Sequence, residues 1–164
     1  MLIPGPVQTA PYVRALLSAI WDRRRLPVDD VDAAVTERMD RQHVLTGGDH
    51  RFCVLLEENV LRHRIGGADV MSGQLGHLLS VMTLPSMSLG IIPFTADPVR
   101  DVAGGDVLHA RRDPSQRGTV SGHLTVTNPR EIAMYADAFD QLQEAAVFGA
   151  AVRTLITTAI DALD

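Results

Sequence analysis

The pattern of this chain predicts an α+β fold, with helices packed on a small, mostly antiparallel sheet and a long helix closing the chain. Three observations carry that expectation. Apolar residues recur at helical spacing in four long segments. Between them lie short runs of apolar residues with strand character. Gly- and Pro-containing turns separate the two kinds. The 164 residues suit one domain, 1–164, large enough for its own core.

The elements follow in order. Thr9 is placed to cap a helix in which Pro11 sits in the first turn and Tyr12, Ala15, Leu16, Ala19 and Ile20 share one side. Trp21 lies near its end, and Arg23 to Pro27 read as a polar connection. Asp29 or Asp30 then caps a second helix with the stripe Val31, Val35, Met39, which stops near Thr46-Gly47-Gly48-Asp49. Arg51 to Glu57 reads as a strand with apolar residues on both faces, Phe52, Val54 and Leu56 against Cys53 and Leu55, and is therefore expected to be central.

Asn59 to Ile65 suggests a short helix that Gly66-Gly67 terminates. The next helix is expected over 69–83, with Met71, Leu75, Leu78 and Met82 as core stripe and Gln74, His77 and Val81 beside it. Ser88 to Phe94 is a second buried strand. A weak strand is expected at Val107 to Arg111 and a better one at Thr119 to Thr127. Asn128-Pro129-Arg130-Glu131 forms a capping box with Pro at the first helical position. The closing helix is expected from Pro129 to Leu163, with Gly149 as a possible bend. Its Ala145-Ala146 to Ala150-Ala151 stretch is expected to pack closely, in the core or against a second copy.

Composition narrows the function classes. No apolar run is long enough to span a membrane, and Pro4-Gly5 interrupts Met1-Leu2-Ile3 before it can act as a signal peptide, so a cytoplasmic location is expected. Cys53 stands alone, which excludes an internal disulfide; it reads as a small buried hydrophobe. The net charge is −5, and the only basic cluster, Arg23-Arg24-Arg25, is followed closely by Asp29, Asp30 and Asp32. Direct nucleic-acid contact by this chain is therefore not expected.

No nucleophile elbow, phosphate loop, dinucleotide fingerprint or zinc-protease motif is present. The six His residues lack metal-ligand spacing, so neither a metal nor a cofactor is expected. The polar residues that stand at element ends or beside apolar stripes are Arg41, Gln42, Glu57, Arg62, His63, Gln74, His77 and His123. With Met71 as an adaptable lining, they are the candidate ligand pocket. Glu57 ends a buried strand, where a carboxylate needs a partner. Arg38, Arg41 or Arg62 can neutralise it as a structural ion pair, or Glu57 and an Arg can present opposite charges to a small polar ligand.

A series of motifs runs almost end to end: Pro4-Gly5-Pro6-Val7-Gln8-Thr9, Arg41-Gln42, Glu57-Glu58-Asn59-Val60-Leu61-Arg62, Met71-Ser72-Gly73-Gln74-Leu75, Gly90-Ile91-Ile92-Pro93-Phe94 and Leu124-Thr125-Val126-Thr127-Asn128-Pro129-Arg130-Glu131-Ile132. In this order and spacing the chain resembles the C-terminal domain of actinobacterial regulators that carry an Xre-type helix-turn-helix at their N-terminus, some of them antitoxin-like with a small partner protein. The resemblance implies a domain that receives a small molecule or partner protein and leaves DNA reading to a segment outside this chain; a homodimer is expected, with the closing helix as its contact. It supplies no catalytic residues.

Two departures stand out. Pro6 replaces a usual Leu, and the segment after Phe94 lacks the usual aromatics and Glu. Because Met1 falls at the domain edge, the chain is expected to be either a fragment of a regulator or a stand-alone form. The stand-alone form motivates the alternative reading, a small-molecule tailoring or cyclising enzyme whose pocket uses Glu57, Arg62, His77 and His123.

Overall fold

A computed structural model of the protein describes residues 2–24, 30–47, 49–96, 117–119, 122–124 and 129–163. The fold is α+β. The helices are α1 (Ala10–Arg24), α2 (Val31–Asp40), α3 (Ala68–Val81), α4 (Pro129–Glu144) and α5 (Ala150–Asp161). The strands are β1 (Phe52–Glu57), β2 (Met87–Ile92), β3 (Arg117–Thr119), β4 (Gly122–Leu124) and β5 (Val147–Phe148). Short 3-10 turns at Gly5–Val7, Arg41–Leu45 and Glu58–Arg62 connect them. Among the described residues no helix is long and apolar enough to cross a membrane.

The main sheet has the order β1-β2-β5 and is mixed. β1 pairs with β2 in parallel, from Phe52 opposite Met87 to Glu57 opposite Ile92. β5 adds antiparallel to β2 through Gly90–Phe148 and Ile91–Val147. Two sequence expectations change here. The longest pairing is parallel because β1, α3 and β2 form one crossover unit, and a helix between two strands returns the chain in the same direction. β2, not β1, is the central strand of this sheet, with β1 on one side and β5 on the other.

The apolar stripes on α3 and α5 meet one face of this sheet. Met71, Leu75 and Leu78 of α3 and Val152, Ile156 and Ala159 of α5 join Val54, Leu56, Leu89 and Ile91 in one cluster. Ile3 and Val7 of the N-terminal segment and Tyr12 of α1 complete it. A smaller cluster of Val13, Val31 and Val35, with Trp21 and Met39 packed against it, fastens α2 to α1. Thr9 caps α1 as expected, its Oγ1 accepting from Tyr12 N–H at 3.4 Å. Asp30 occupies the cap position of α2 without a side-chain hydrogen bond.

The expected closing helix is two helices. Gly149 has φ +62°, a conformation that glycine adopts without a Cβ penalty, and it stands at the cap position of α5. The alanine-rich stretch is therefore interrupted by β5 and does not form one continuous helical seam. Arg23 and Arg24 extend α1, while 25–29, including Asp29, lie outside the described residues. So does the expected strand at Val107 to Arg111. Of the expected strand Thr119 to Thr127, Thr119 ends β3 and 122–124 form β4, paired antiparallel; the remainder and the cap Asn128 lie outside the described residues.

On the face of the sheet that carries Leu55, Gly90 leaves room for the Phe148 ring. A Cβ at Gly90 would stand 2.7 Å from both Leu55 Cδ2 and Phe148 Cε1. Gly90→Ala is expected to destabilise the fold by about 1–3 kcal/mol through overpacking, read as a lower urea midpoint at unchanged slope. A midpoint equal to the parent's would mean that the ring moves off the strand without loss.

Candidate functional site

The candidate residues separate into three groups. The first group holds the N-terminal segment. Residues 3–9 are buried or half-buried yet almost devoid of regular structure, so their backbone groups need partners from side chains. Gln74, on α3 and fully buried, accepts from Thr9 N–H at 2.7 Å and donates its Nε2–H to the Val7 carbonyl at 2.8 Å. Gln42 donates to the Gln8 carbonyl at 2.6 Å and to the Gly5 carbonyl at 3.1 Å. Gln8 itself donates to the Ile3 carbonyl, and its Oε1 accepts from Arg38 at 3.2 Å.

Three glutamines and one arginine thus clasp one strap of chain. Of the candidate pocket residues, Gln42 and Gln74 both bond to this stretch of backbone. Met71, also fully buried, is core packing.

In the second group, Arg41 and His63 stand apart in solvent. Arg41 is exposed and ion-paired with Glu37 one helical turn earlier. Such pairs contribute little, about 0.3–0.5 kcal/mol. His63 is exposed. His123 lies on β4 opposite Gly118, and its side chain falls outside the described residues.

The third group forms a corner at the carboxyl ends of β1 and β2. The parallel register places the residues that follow Glu57 beside those that follow Ile92. Glu57 is half-buried and accepts from Asn59 Nδ2 at 3.0 Å. The buried carboxylate is its neighbour, Glu58, because the strand ends at Glu57 and the 3-10 turn rotates the next side chain inward.

Both Glu58 oxygens are used. Oε1 accepts from Arg62 Nη2 at 3.0 Å, and Oε2 accepts from the backbone N–H of Phe94 at 3.0 Å. The Arg62 guanidinium also sits 5.8 Å above the centroid of the Phe94 ring, within cation–π range. Phe94 is 63% exposed. The expectation that Glu57 would be the paired buried carboxylate is corrected to Glu58. The i,i+4 spacing of Glu58 and Arg62 was the available signal, and nothing in the linear sequence joined either to Phe94.

His77 is half-buried on α3, and among the described residues its buried Nε2 has no hydrogen-bond partner, nor has Oδ1 of Asn59. Burial pushes the His77 pKa below its ordinary value of 6.5, so the neutral ring is favoured. The Cys53 thiol, opposite Ser88 in the parallel register, is half-buried and raised by that burial, with a hydrogen bond to Ser88 opposing. It is thus kept as an unreactive thiol. Among the described residues no three His, Cys, Asp or Glu side chains gather as a metal site. A cleft of about 180 Å³ lies between α1 and α2, lined by Arg14, Ser18, Trp21, Asp22, Val31 and Asp32, with Arg14 and Asp32 ion-paired across it.

Two outcomes follow from this geometry. Gln74→Leu leaves the buried Val7 carbonyl and Thr9 N–H unpartnered and is expected to destabilise by about 2–4 kcal/mol. Gln42→Leu, at a half-buried position that water reaches, is expected to lose about 1 kcal/mol. Chemical denaturation checks the order, and a larger loss at Gln42 would contradict it. For His77, the unfolded chain protonates first as pH falls, so the stability this ring contributes is complete above about 6.5 and is lost below it. A His77→Leu variant should show a flatter stability profile between pH 5 and 7 than the parent; an unchanged slope would place the titrating group elsewhere.

Comparison with curated proteins and with solved structures returns no match. One family model, described as "Domain of unknown function (DUF5753)", matches residues 1–158. With nearly the whole chain matched, from the glutamine-clasped strap through most of α5, this protein belongs to the DUF5753 family.

Proposed function

We propose that the chain is the signal-receiving domain of a transcription regulator: a cytoplasmic, homodimeric module that binds a small molecule or a small partner protein. DNA contact is left to an Xre-type helix-turn-helix elsewhere in the regulator. The observation that carries this reading is the Glu58–Arg62–Phe94 corner. It holds an exposed aromatic and a half-exposed cation in fixed positions, which is recognition chemistry. The net charge of −5 opposes a phosphate backbone, which favours assigning DNA reading to another segment. The resemblance to antitoxin-like regulators supports a small partner protein as the signal.

A stand-alone tailoring or cyclising enzyme is the second reading, and His77 is the observation on its side. Among the described residues its buried Nε2 has no partner, and its neutral form is favoured, as a general base requires. Against it, Glu57 and Arg62, which that reading would place in the same pocket, are engaged by Asn59 and Glu58.

Operator binding by the intact regulator, measured with and without residues 1–164 and across signal concentrations, decides between the two. The regulator reading expects affinity or its response to signal to change by about 5–150-fold. Equal affinity and equal response in both forms would overturn it.

A further inference from the structure

We infer that Arg62 and Phe94 form a docking point for a polypeptide partner that presents a carboxylate next to an apolar side chain. The inference rests on the reading of this chain as a partner-binding domain and names the surface and the partner's chemistry.

The corner is built before any partner arrives. Glu58 is 8% exposed, and its two oxygens hold two different things, the guanidinium of Arg62 and the backbone of Phe94. One buried carboxylate therefore sets the position of a cation and an aromatic ring relative to each other. Stacking on the ring removes further freedom from the long Arg side chain. An arginine held in this way loses less entropy on binding than a free one.

The remaining chemistry selects the occupant. A guanidinium carries five N–H donors in a planar fork, and the bond to Glu58 uses one nitrogen of Arg62, Nη2. The Arg62 side chain is 49% exposed, which leaves room for a second acceptor at the guanidinium. A planar fork matches a carboxylate. Phe94, 63% exposed, adds apolar surface next to that fork.

Arg62 and Phe94 both keep large exposed surfaces, which a partner's chain can take out of water. A macromolecule covers the pair and excludes water around it. A polyanion is disfavoured, since Glu57 adjoins the corner and the chain carries a net charge of −5. A single carboxylate flanked by apolar side chains fits both the charge and the ring.

The test is a titration of the ¹⁵N-labelled 164-residue chain with the peptide acetyl-Leu-Asp-Leu-amide, with acetyl-Leu-Asn-Leu-amide and a thymidine oligonucleotide as comparisons. The expected result is saturable shifts of the Arg62 side-chain N–H and the Phe94 amide with the Asp peptide, and at least about tenfold weaker response to the Asn peptide. Arg62→Gln and, separately, Phe94→Ala should each remove the response; the second variant leaves the Glu58–Arg62 pair in place if the first perturbs the fold. Equal shifts with both peptides, shifts confined to other residues, no shifts, or preferential saturation by the oligonucleotide would each overturn the inference. None of these needs DNA binding by the regulator, so a failed titration removes this docking point and leaves the operator experiment to judge the domain's function.

Discussion

The parallel pairing of β1 with β2 constrains most of what surrounds it. Parallel strands cannot be joined by a tight turn, so the connection must cross the sheet, and α3 is that crossover. Its apolar stripe then has one place to go, the sheet face that Val54, Leu56, Leu89 and Ile91 present, where α5 packs beside it. The same pairing aligns the carboxyl ends of the two strands. Glu58 and Phe94 are 36 residues apart in sequence and are joined there by a 3.0 Å hydrogen bond. A slip of one residue in this register would exchange the two faces of β1 and separate the corner at once.

The N-terminal strap illustrates a different requirement. A segment whose only regular structure is one 3-10 turn is buried against α3 and the 3-10 turn at 41–45, and its peptide groups cannot be left dry. Glutamine meets that need well because one side chain offers an acceptor and two donors at the end of a flexible stem. Gln74 uses both kinds of group on one stretch of backbone, and Gln42 bridges two carbonyls. Amides beside an apolar stripe look like ligand-binding groups in a sequence. Here they complete the backbone pairing that the strap makes only in part with itself, from Val7 N–H to the Pro4 carbonyl and from Gln8 N–H to the Gly5 carbonyl.

Glu58 shows how a buried carboxylate is tolerated. Desolvation is offset when both oxygens accept hydrogen bonds and a cation stands close. Arg62 supplies the charge and Phe94 the second donor, while Arg62 keeps half of its surface in water. The arrangement therefore costs little in stability while fixing two exposed groups, which is what a recognition surface requires.

Periodicity by itself determined the α+β class and, to within a few residues at their ends, the helices at 10–24, 31–40 and 68–81, the strands at 52–57 and 87–92, and the stripes of α3 and α5 that enter the core. These are local properties: the spacing of apolar residues depends only on the 3.6- and 2-residue repeats of the backbone. Strand direction was not determined: the sheet was expected to be mostly antiparallel, and its longest pairing is parallel. The split at Gly149 was visible only as a possible bend, because whether a glycine bends a helix or ends it depends on whether β2 offers an edge to Val147 and Phe148. The site was the least legible. Glu57 and Glu58 are chemically identical neighbours, and the residue at which β1 gives way to the 3-10 turn decides which one is buried. Gln42 and Gln74 could equally have faced a ligand or a backbone until the strap was placed between them. Those choices belong to the tertiary structure, because burial, and therefore the demand for a partner, is a property of the whole packed chain and not of any residue's neighbours in sequence.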